Sequence, residues 1–162
     1  MNAVDLLESQ HRDVEDLFER IEKAEDASDQ RGALFDELAD NLAIHAAIEE
    51  HQFYPAVKHR RTEDILLESL EEHLAIKRVL ADLLDTDIGD PTFNAKLTLL
   101  KETISHHVKE EESDLFPKVK KLFSEEELEA LGEDMESEVE QLQEEGDARM
   151  LVPQETGHAA SI

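Results

Sequence analysis

The chain has no cysteine among its 162 residues, and this absence excludes disulfide bonds, thiolate metal ligands and cysteine nucleophiles. It has only five glycines, four prolines and few aromatic residues, and no stretch shows sustained alternation of apolar and polar side chains. The sequence therefore lends little support to β-strands. Its abundant Leu, Ala, Glu, Asp and Lys favour helices instead.

Basic residues are also scarce, with 16 Lys and Arg against 42 Asp and Glu, which makes the formal net charge −26 at pH 7. Nucleic acids and anionic membranes bind to clustered Lys and Arg, so this charge argues against both as partners. It predicts an acidic, well-solvated surface that keeps the protein soluble and monomeric.

Long apolar runs are missing as well. No run approaches the ~20 residues that span a bilayer, so no membrane segment is predicted. Residues 1–8 lack the basic start and the apolar run of a signal peptide. We therefore expect a soluble, cytoplasmic protein.

Four amphipathic helices are predicted by stripes of apolar residues at spacings of three and four. Asn2 and Thr62 are placed to cap the first and third helices, and Asp90 precedes Pro91 at the start of the fourth. Short connections make neighbouring helices antiparallel, and they are predicted near residues 26–32, 58–63 and 85–91. The expected fold class is all-α, an up-down-up-down four-helix bundle with an additional C-terminal helix.

The bundle is expected to occupy residues 1–122. An accessory helix is expected over residues 123–146, because Ser124 and Glu127 have the spacing of a capping box. We expect this helix to cover the bundle within one chain rather than to form a dimer contact, which predicts a monomer or a weak homodimer. Residues 147–162 lack periodicity and are expected to form a flexible tail.

One pattern of histidine, His-x-x-x-Glu and proline occurs twice in the chain. The repeated residues, each pair 62 positions apart, are His11 and His73, His45 and His107, Glu49 and Glu111, and Pro55 and Pro117. Several coincidences at one offset rarely arise by chance. On all four predicted helices, the repeated His or Glu falls within the apolar stripe, so the sequence predicts that six polar side chains meet in the core.

Imidazole and carboxylate ligands suit iron, zinc or manganese. If Glu49 and Glu111 each bridge two ions, every ion receives two carboxylate oxygens and two nitrogens, from the pairs His11 and His45, and His73 and His107. A bridging oxide or hydroxide adds a fifth ligand and leaves about one open position for a small molecule. The alternative is a chance alignment of unrelated residues, which the cost of burying two unpaired carboxylates disfavours.

The remaining histidines have weaker claims to a role. His51, His59 and His158 have no repeat partner and are expected to face solvent. His106 points about 100° away from His107 on a helix, so it is not expected to be a ligand. Glu50 and Glu112 also repeat at 62 residues, but they lie one residue past the ligand face and are expected to support the ligands or face solvent, as listed by position in the chain.

This order of His, His-x-x-x-Glu, His and His-x-x-x-Glu resembles the hemerythrin-like (HHE cation-binding) domain family over roughly residues 3–122. Members of that family include oxygen carriers and proteins that sense or react with oxygen, nitric oxide, peroxide or iron. The resemblance implies a small diatomic or peroxide ligand and a non-heme centre of two iron ions, bound by His11, His45, Glu49, His73, His107 and Glu111.

Two residues depart from the simplest expectation. Oxygen-carrying hemerythrins have a further histidine where this chain has Lys77, which argues against simple reversible oxygen transport. Tyr54 is the only tyrosine, and the other copy has Phe116 in its place. Tyr54 is a candidate catalytic residue or iron ligand, but on an ideal helix it lies roughly 140° from Glu49. That angle favours packing at the end of the bundle, unless the helix is distorted before Pro55.

The leading functional hypothesis is a di-iron protein that binds and reacts with oxygen, hydrogen peroxide or nitric oxide. Peroxidase, catalase and nitric oxide-consuming activities all fall within this hypothesis. One alternative is a sensor or carrier of oxygen, nitric oxide or iron without turnover. Another is a metal storage protein, which the lack of an additional carboxylate ladder into the core disfavours.

Overall fold

Five long helices account for most of the computed structural model, which describes residues 1–162. In chain order they are α1 (Ala3–Lys23), α2 (Asp29–Ile48), α3 (Glu63–Leu84), α4 (Phe93–Glu110) and α5 (Glu125–Glu145). The first four form an up-down-up-down bundle and α5 is the additional C-terminal helix, which confirms the predicted fold class. None of the helices combines the length and apolar character needed to cross a membrane.

Side-chain caps set the start of three helices. Asn2, Ser28 and Ser124 each accept a hydrogen bond from a backbone N–H in the first turn of the helix that follows. Ser124 and Glu127 form the predicted capping box. α4 begins two residues later than the Pro91 start that the sequence predicted, and Asp90 Oδ1 instead accepts from the Thr92 N–H at 2.8 Å.

Two apolar clusters fill the bundle at opposite ends. One contains Val14 to Ile21 of α1 with side chains such as Leu38, Leu80 and Leu100. The other contains Val4 and Leu7 of α1, and its larger members are Ile48, Phe53, Tyr54, Leu66, Leu70 and Phe116. Each of the four bundle helices contributes to both clusters, and its repeated histidine lies between the two contributions. The packing therefore creates one buried polar layer at mid-height.

α2 and α4 each widen into a π-helical turn directly after their histidine. The turns span Glu49–Phe53 and Glu111–Leu115, and the chain then returns to α-helix over Tyr54–Val57 and Phe116–Leu122. In each turn the backbone N–H five residues on, that of Tyr54 or Phe116, donates to the carbonyl of Glu49 or Glu111. π turns are rare and concentrate at functional sites. Here they occupy equivalent positions in the two copies of the repeat.

α5 packs against the bundle within the same chain, as the sequence predicted. Its buried residues Leu128 and Met135 join the apolar cluster around the start of α1. Gly132 allows this close approach, because a Cβ at that position would overlap the main-chain carbonyl of Met1. The accessory helix therefore covers the first turn of α1.

The prediction of a flexible tail over residues 147–162 is wrong for its first half. Residues Ala148–Glu155 form a 3-10 helix that lies against α2 and α3, and Val152 is buried in the bundle core. A single buried valine in a polar segment produces no periodicity, so the sequence pattern does not reveal this contact. The division of the chain at residues 122 and 146 stays a prediction.

Candidate metal centre

The structure brings together all six residues that the repeat singles out, and each is almost completely buried. Their ligand-type atoms form two overlapping groups of four within 4.8 Å of one another. Glu49 and Glu111 belong to both groups. The His11 half-site adds His11 and His45, and the His73 half-site adds His73 and His107. This grouping has the same composition as the one derived from the spacing of the repeat.

Short distances join the histidine and carboxylate atoms of the two half-sites. In the His11 half-site, the Nε2 atom of His11 lies 3.3 Å from Glu111 Oε2, and that of His45 lies 3.3 Å from Glu49 Oε1. In the other, His73 Nε2 lies 2.9 Å from Glu49 Oε2. His107 Nε2 lies 3.3 Å from Glu111 Oε1. Each glutamate therefore directs one oxygen into each half-site.

The opposite nitrogen of every histidine, Nδ1, contacts a polar side chain outside the two groups. The distances are 2.9 Å from His11 to Glu112, 2.7 Å from His45 to Gln10, 2.8 Å from His73 to Glu50 and 3.0 Å from His107 to Glu72. Such partners hold the ring in place and favour the tautomer whose proton is on Nδ1. All four Nε2 atoms are then available as lone-pair donors at the centre.

These outer partners obey the same 62-residue offset as the histidines. Glu50 and Glu112 form one pair, and their supporting role agrees with one of the two expectations from the sequence. Gln10 and Glu72 form the second pair, which the sequence reasoning missed. The signal was present in the offset, but a match between glutamine and glutamate is not an identity. The two half-sites are thus equivalent in position and differ in outer charge.

Lys77, which stands where oxygen carriers have a histidine, is buried and does not reach the six central residues by any recorded contact. Its Nζ atom lies 2.8 Å from Glu50 Oε1 and 3.2 Å from Glu155 Oε1. Lys77 therefore supports the carboxylate that holds His73. In the other half-site, Arg12 pairs with Glu112 in the corresponding way, although Arg12 is half-exposed.

The prediction that Tyr54 packs away from the ligand residues is wrong. Its hydroxyl lies 2.6 Å from Glu111 Oε1, 3.2 Å from Glu49 Oε2 and 3.1 Å from His73 Nε2, and its ring is fully buried. The π turn over Glu49–Phe53 inserts an extra residue before Tyr54, so the side chain turns onto the face of Glu49. Periodicity for an ideal α-helix misplaces it for that reason.

Mutual attraction keeps the buried groups charged. Burial and the neighbouring Glu49 carboxylate act to raise the pKa of Glu111, but attraction and hydrogen bonds from His107 and His11 outweigh them and lower it to about 2. Burial acts to lower the pKa of His107, yet Glu111 and Glu49 raise it well above its ordinary value. Burial, then the carboxylates of Glu111 and Glu49, raise the pKa of Tyr54, so its phenol is held neutral. Two buried carboxylates facing four histidines create a strong preference for positive charge.

The other histidines lie outside this centre. His51, His59 and His158 are exposed, as predicted, and His51 contacts Glu138 on α5. His106 is two-thirds exposed and lies 3.2 Å from Glu110 and 3.6 Å from Glu72 on the surface. The adjacent residue His107 is 3% exposed and faces the centre.

Four buried polar atoms have no hydrogen-bond partner, and they test whether a metal fits. They are His11 Nε2, His45 Nε2, Glu49 Oε1 and Glu111 Oε2, the four atoms of the His11 half-site. Buried polar atoms without partners are costly and rare in folded proteins. Nitrogen and oxygen lone pairs converging on one point match the ligand set of a borderline divalent ion. The residues present therefore fit a bound cation.

Comparisons with known proteins agree with this geometry. Residues 2–119 match the sequence model of the hemerythrin HHE cation binding domain. Proteins of Mycobacterium tuberculosis and Mycobacterium bovis are each 31% identical over 143 residues, which cover 88% of this chain and 88% of the relative. The crystal structure of a hemerythrin HHE cation binding domain-containing protein from Mycobacterium kansasii superposes with a TM-score of 0.81 at 31% identity, over 96% of this chain and 94% of that one. This chain therefore belongs to the hemerythrin HHE cation-binding domain family.

Proposed function

We propose that this protein holds two non-heme iron ions and reacts with a small oxidant, namely oxygen, hydrogen peroxide or nitric oxide. Glu49 and Glu111 are the bridging ligands of this proposal. The terminal ligands are His11 and His45 on one ion and His73 and His107 on the other. The observation that carries the proposal is the set of four buried atoms without partners in the His11 half-site.

Bound iron supplies the redox chemistry, and the chain supplies positioning, charge and exclusion of water. Gln10, Glu50, Glu72 and Glu112 orient the histidines through their Nδ1 atoms. Two apolar clusters enclose the polar layer, which strengthens electrostatic attraction inside it. The net ligand charge of two carboxylates suits a pair of divalent or trivalent ions, whereas a closed structural zinc site has four ligands on one ion.

We propose Tyr54 as the residue that moves or holds a proton at the His73 half-site. Its hydroxyl donates to Glu111 Oε1 at 2.6 Å and lies within hydrogen-bond distance of Glu49 and His73. A neutral phenol at this place can donate to a bound small molecule, or lose its proton and bind iron itself. Phe116, the residue at the equivalent position of the other copy, has no hydroxyl to offer.

Tyr54→Phe is expected to leave the iron content nearly unchanged, because all six proposed ligands remain. If the phenolate binds iron, the visible absorption spectrum of the oxidised protein will lose a tyrosinate band. If the phenol only donates a hydrogen bond, the band is absent from both proteins and the reaction with hydrogen peroxide slows in the variant. Loss of most of the iron in Tyr54→Phe would contradict both roles.

Iron content and reactivity of the purified protein test the function as a whole. We expect two iron ions per chain in protein prepared with sufficient iron, and consumption of peroxide, nitric oxide or oxygen when each is added separately. One zinc ion per chain, or no metal, would refute the di-iron centre. Reversible colour change with oxygen and no consumption of any of the three would refute reactivity and favour a carrier or sensor.

A further inference from the structure

An apolar cavity of about 70 Å³ adjoins the histidines on the side away from Tyr54. His11, His45, His73 and His107 all line it, whereas Glu49, Glu111 and Tyr54 do not. Its remaining bundle walls are mostly aliphatic and include Val14, Leu42, Leu80 and Ile104. One water needs roughly 10–15 Å³ of comparable space, so the cavity has room for a small molecule.

The outer wall comes from the C-terminal part of the chain, beyond the residues 2–119 that match the family. Leu142 of α5 and Leu151, Val152 and Glu155 of the 3-10 helix line the cavity. Val152 is 2% exposed and packs into the same apolar cluster as Leu80 and Ile104. Leu151 is 42% exposed, so it lies where the cavity approaches solvent.

Polar contacts on both sides of Val152 hold this wall against the bundle. Arg149 donates to both carboxylate oxygens of Asp40 on α2, at 3.2 and 3.0 Å. Arg78 on α3 donates to the main-chain carbonyl of Thr156 at 3.0 Å. These contacts lie near the surface, whereas the one side chain that enters the cavity from this segment is a buried valine. The segment is therefore fixed at its ends and apolar at its centre.

Charge at the cavity is balanced. Lys77 lies in the wall, but Glu50 and Glu155 neutralise its ammonium group at 2.8 and 3.2 Å. Apart from the histidines and this ion pair, the lining offers few groups that would compensate an ion for its lost hydration. Apolar cavities of this kind stay dry and take up uncharged guests such as xenon.

We propose that this cavity is a binding chamber for a small uncharged molecule of diatomic size, and that Val152 of the C-terminal segment determines which molecules enter it. Resting on the proposed function, the chamber is also the route by which an uncharged oxidant reaches the histidine side of the centre. The ligand class is a weakly polar molecule such as oxygen or nitric oxide, and anions are excluded.

Crystals of the full-length protein pressurised with xenon test the chamber without reference to activity. We expect a xenon peak between Val152, Leu80 and Ile104 in the wild type. Met150→Ala is the matched control, since Met150 is 60% exposed and lies two residues from Val152 without lining the cavity. Its xenon peak should equal that of the wild type. Val152→Phe should lose the peak because the ring fills the space, and Val152→Ala should raise the occupancy.

Absence of xenon from the wild type, or equal xenon occupancy in wild type and Val152→Phe, would overturn the chamber. If Val152→Phe displaces the segment, Ile104→Phe fills the same space from α4 and should also lose the peak. The route is tested by stopped-flow mixing of nitric oxide with iron-loaded protein: Val152→Phe should slow the reaction and Met150→Ala should not. An unchanged rate would overturn the route. A wild type that binds xenon and no iron would contradict only the proposed function.

Discussion

Replacing His107 with alanine is expected to release at least the metal ion of the His73 half-site, whereas replacing His106 is expected to leave both ions bound. His107 Nε2 lies within 3.3 Å of Glu111 and 4.0 Å of Glu49 inside the centre. Loss of a supporting partner alone costs roughly 10–100-fold in metal affinity, so we expect loss of a ligand to cost more than about 100-fold. The measurement is metal content after dialysis together with a titration of metal into the stripped protein.

His106→Ala is a matched control because the two histidines are adjacent in one helix and differ in exposure. His106 contacts Glu110 and Glu72 at the surface, where the side chain is 67% exposed. The thermal unfolding of both stripped variants shows whether His107→Ala still folds, and a folded variant that fails to bind metal confirms the role. Equal loss of metal from the two variants would refute the assignment of the ligand through the 62-residue repeat.

The centre was predictable because its determinants are periodic. His11, His45, His73 and His107 occur within apolar stripes, and the offset of 62 residues pairs each with its equivalent. A helix that places a residue in an apolar stripe also places it in the core, so convergence of the six side chains follows from antiparallel packing. The grouping around Glu49 and Glu111 needed only the capacity of a carboxylate to face two sites.

The features that escaped prediction are local departures from that periodicity. Tyr54 turns inward because the backbone of Glu49–Phe53 takes five residues for one turn, and no residue type marks such a turn reliably. The 3-10 helix around Val152 is held by ion pairs such as Arg149 with Asp40, separated by 109 residues in the chain. Contacts of that kind depend on the tertiary arrangement, which a pattern of apolar residues does not encode.

Exchange of charge between the two outer partners is expected to change the relative affinity of the two half-sites. Glu72 accepts from His107 Nδ1 with a carboxylate, and Gln10 occupies the equivalent place next to His45 with a neutral amide. A carboxylate partner makes the imidazole more basic and therefore a stronger ligand. In the wild type, the first equivalent of metal should accordingly enter the His73 half-site. Glu72→Gln should weaken that half-site by about 10–100-fold, while the amide oxygen preserves the hydrogen bond.

Gln10→Glu supplies the reciprocal change, because it should strengthen the His11 half-site without altering any ligand. Cobalt titrated into the stripped proteins, followed by its visible spectrum and by calorimetry, resolves two binding steps where the half-sites differ. The separation between the steps should shrink in each single variant and reverse in order in the double variant Gln10→Glu with Glu72→Gln. Identical binding curves for the wild type and the double variant would show that the outer charge has no influence on the two ions. A weaker second step in Gln10→Glu would instead mean that the added buried carboxylate costs more in lost hydration than it contributes through His45.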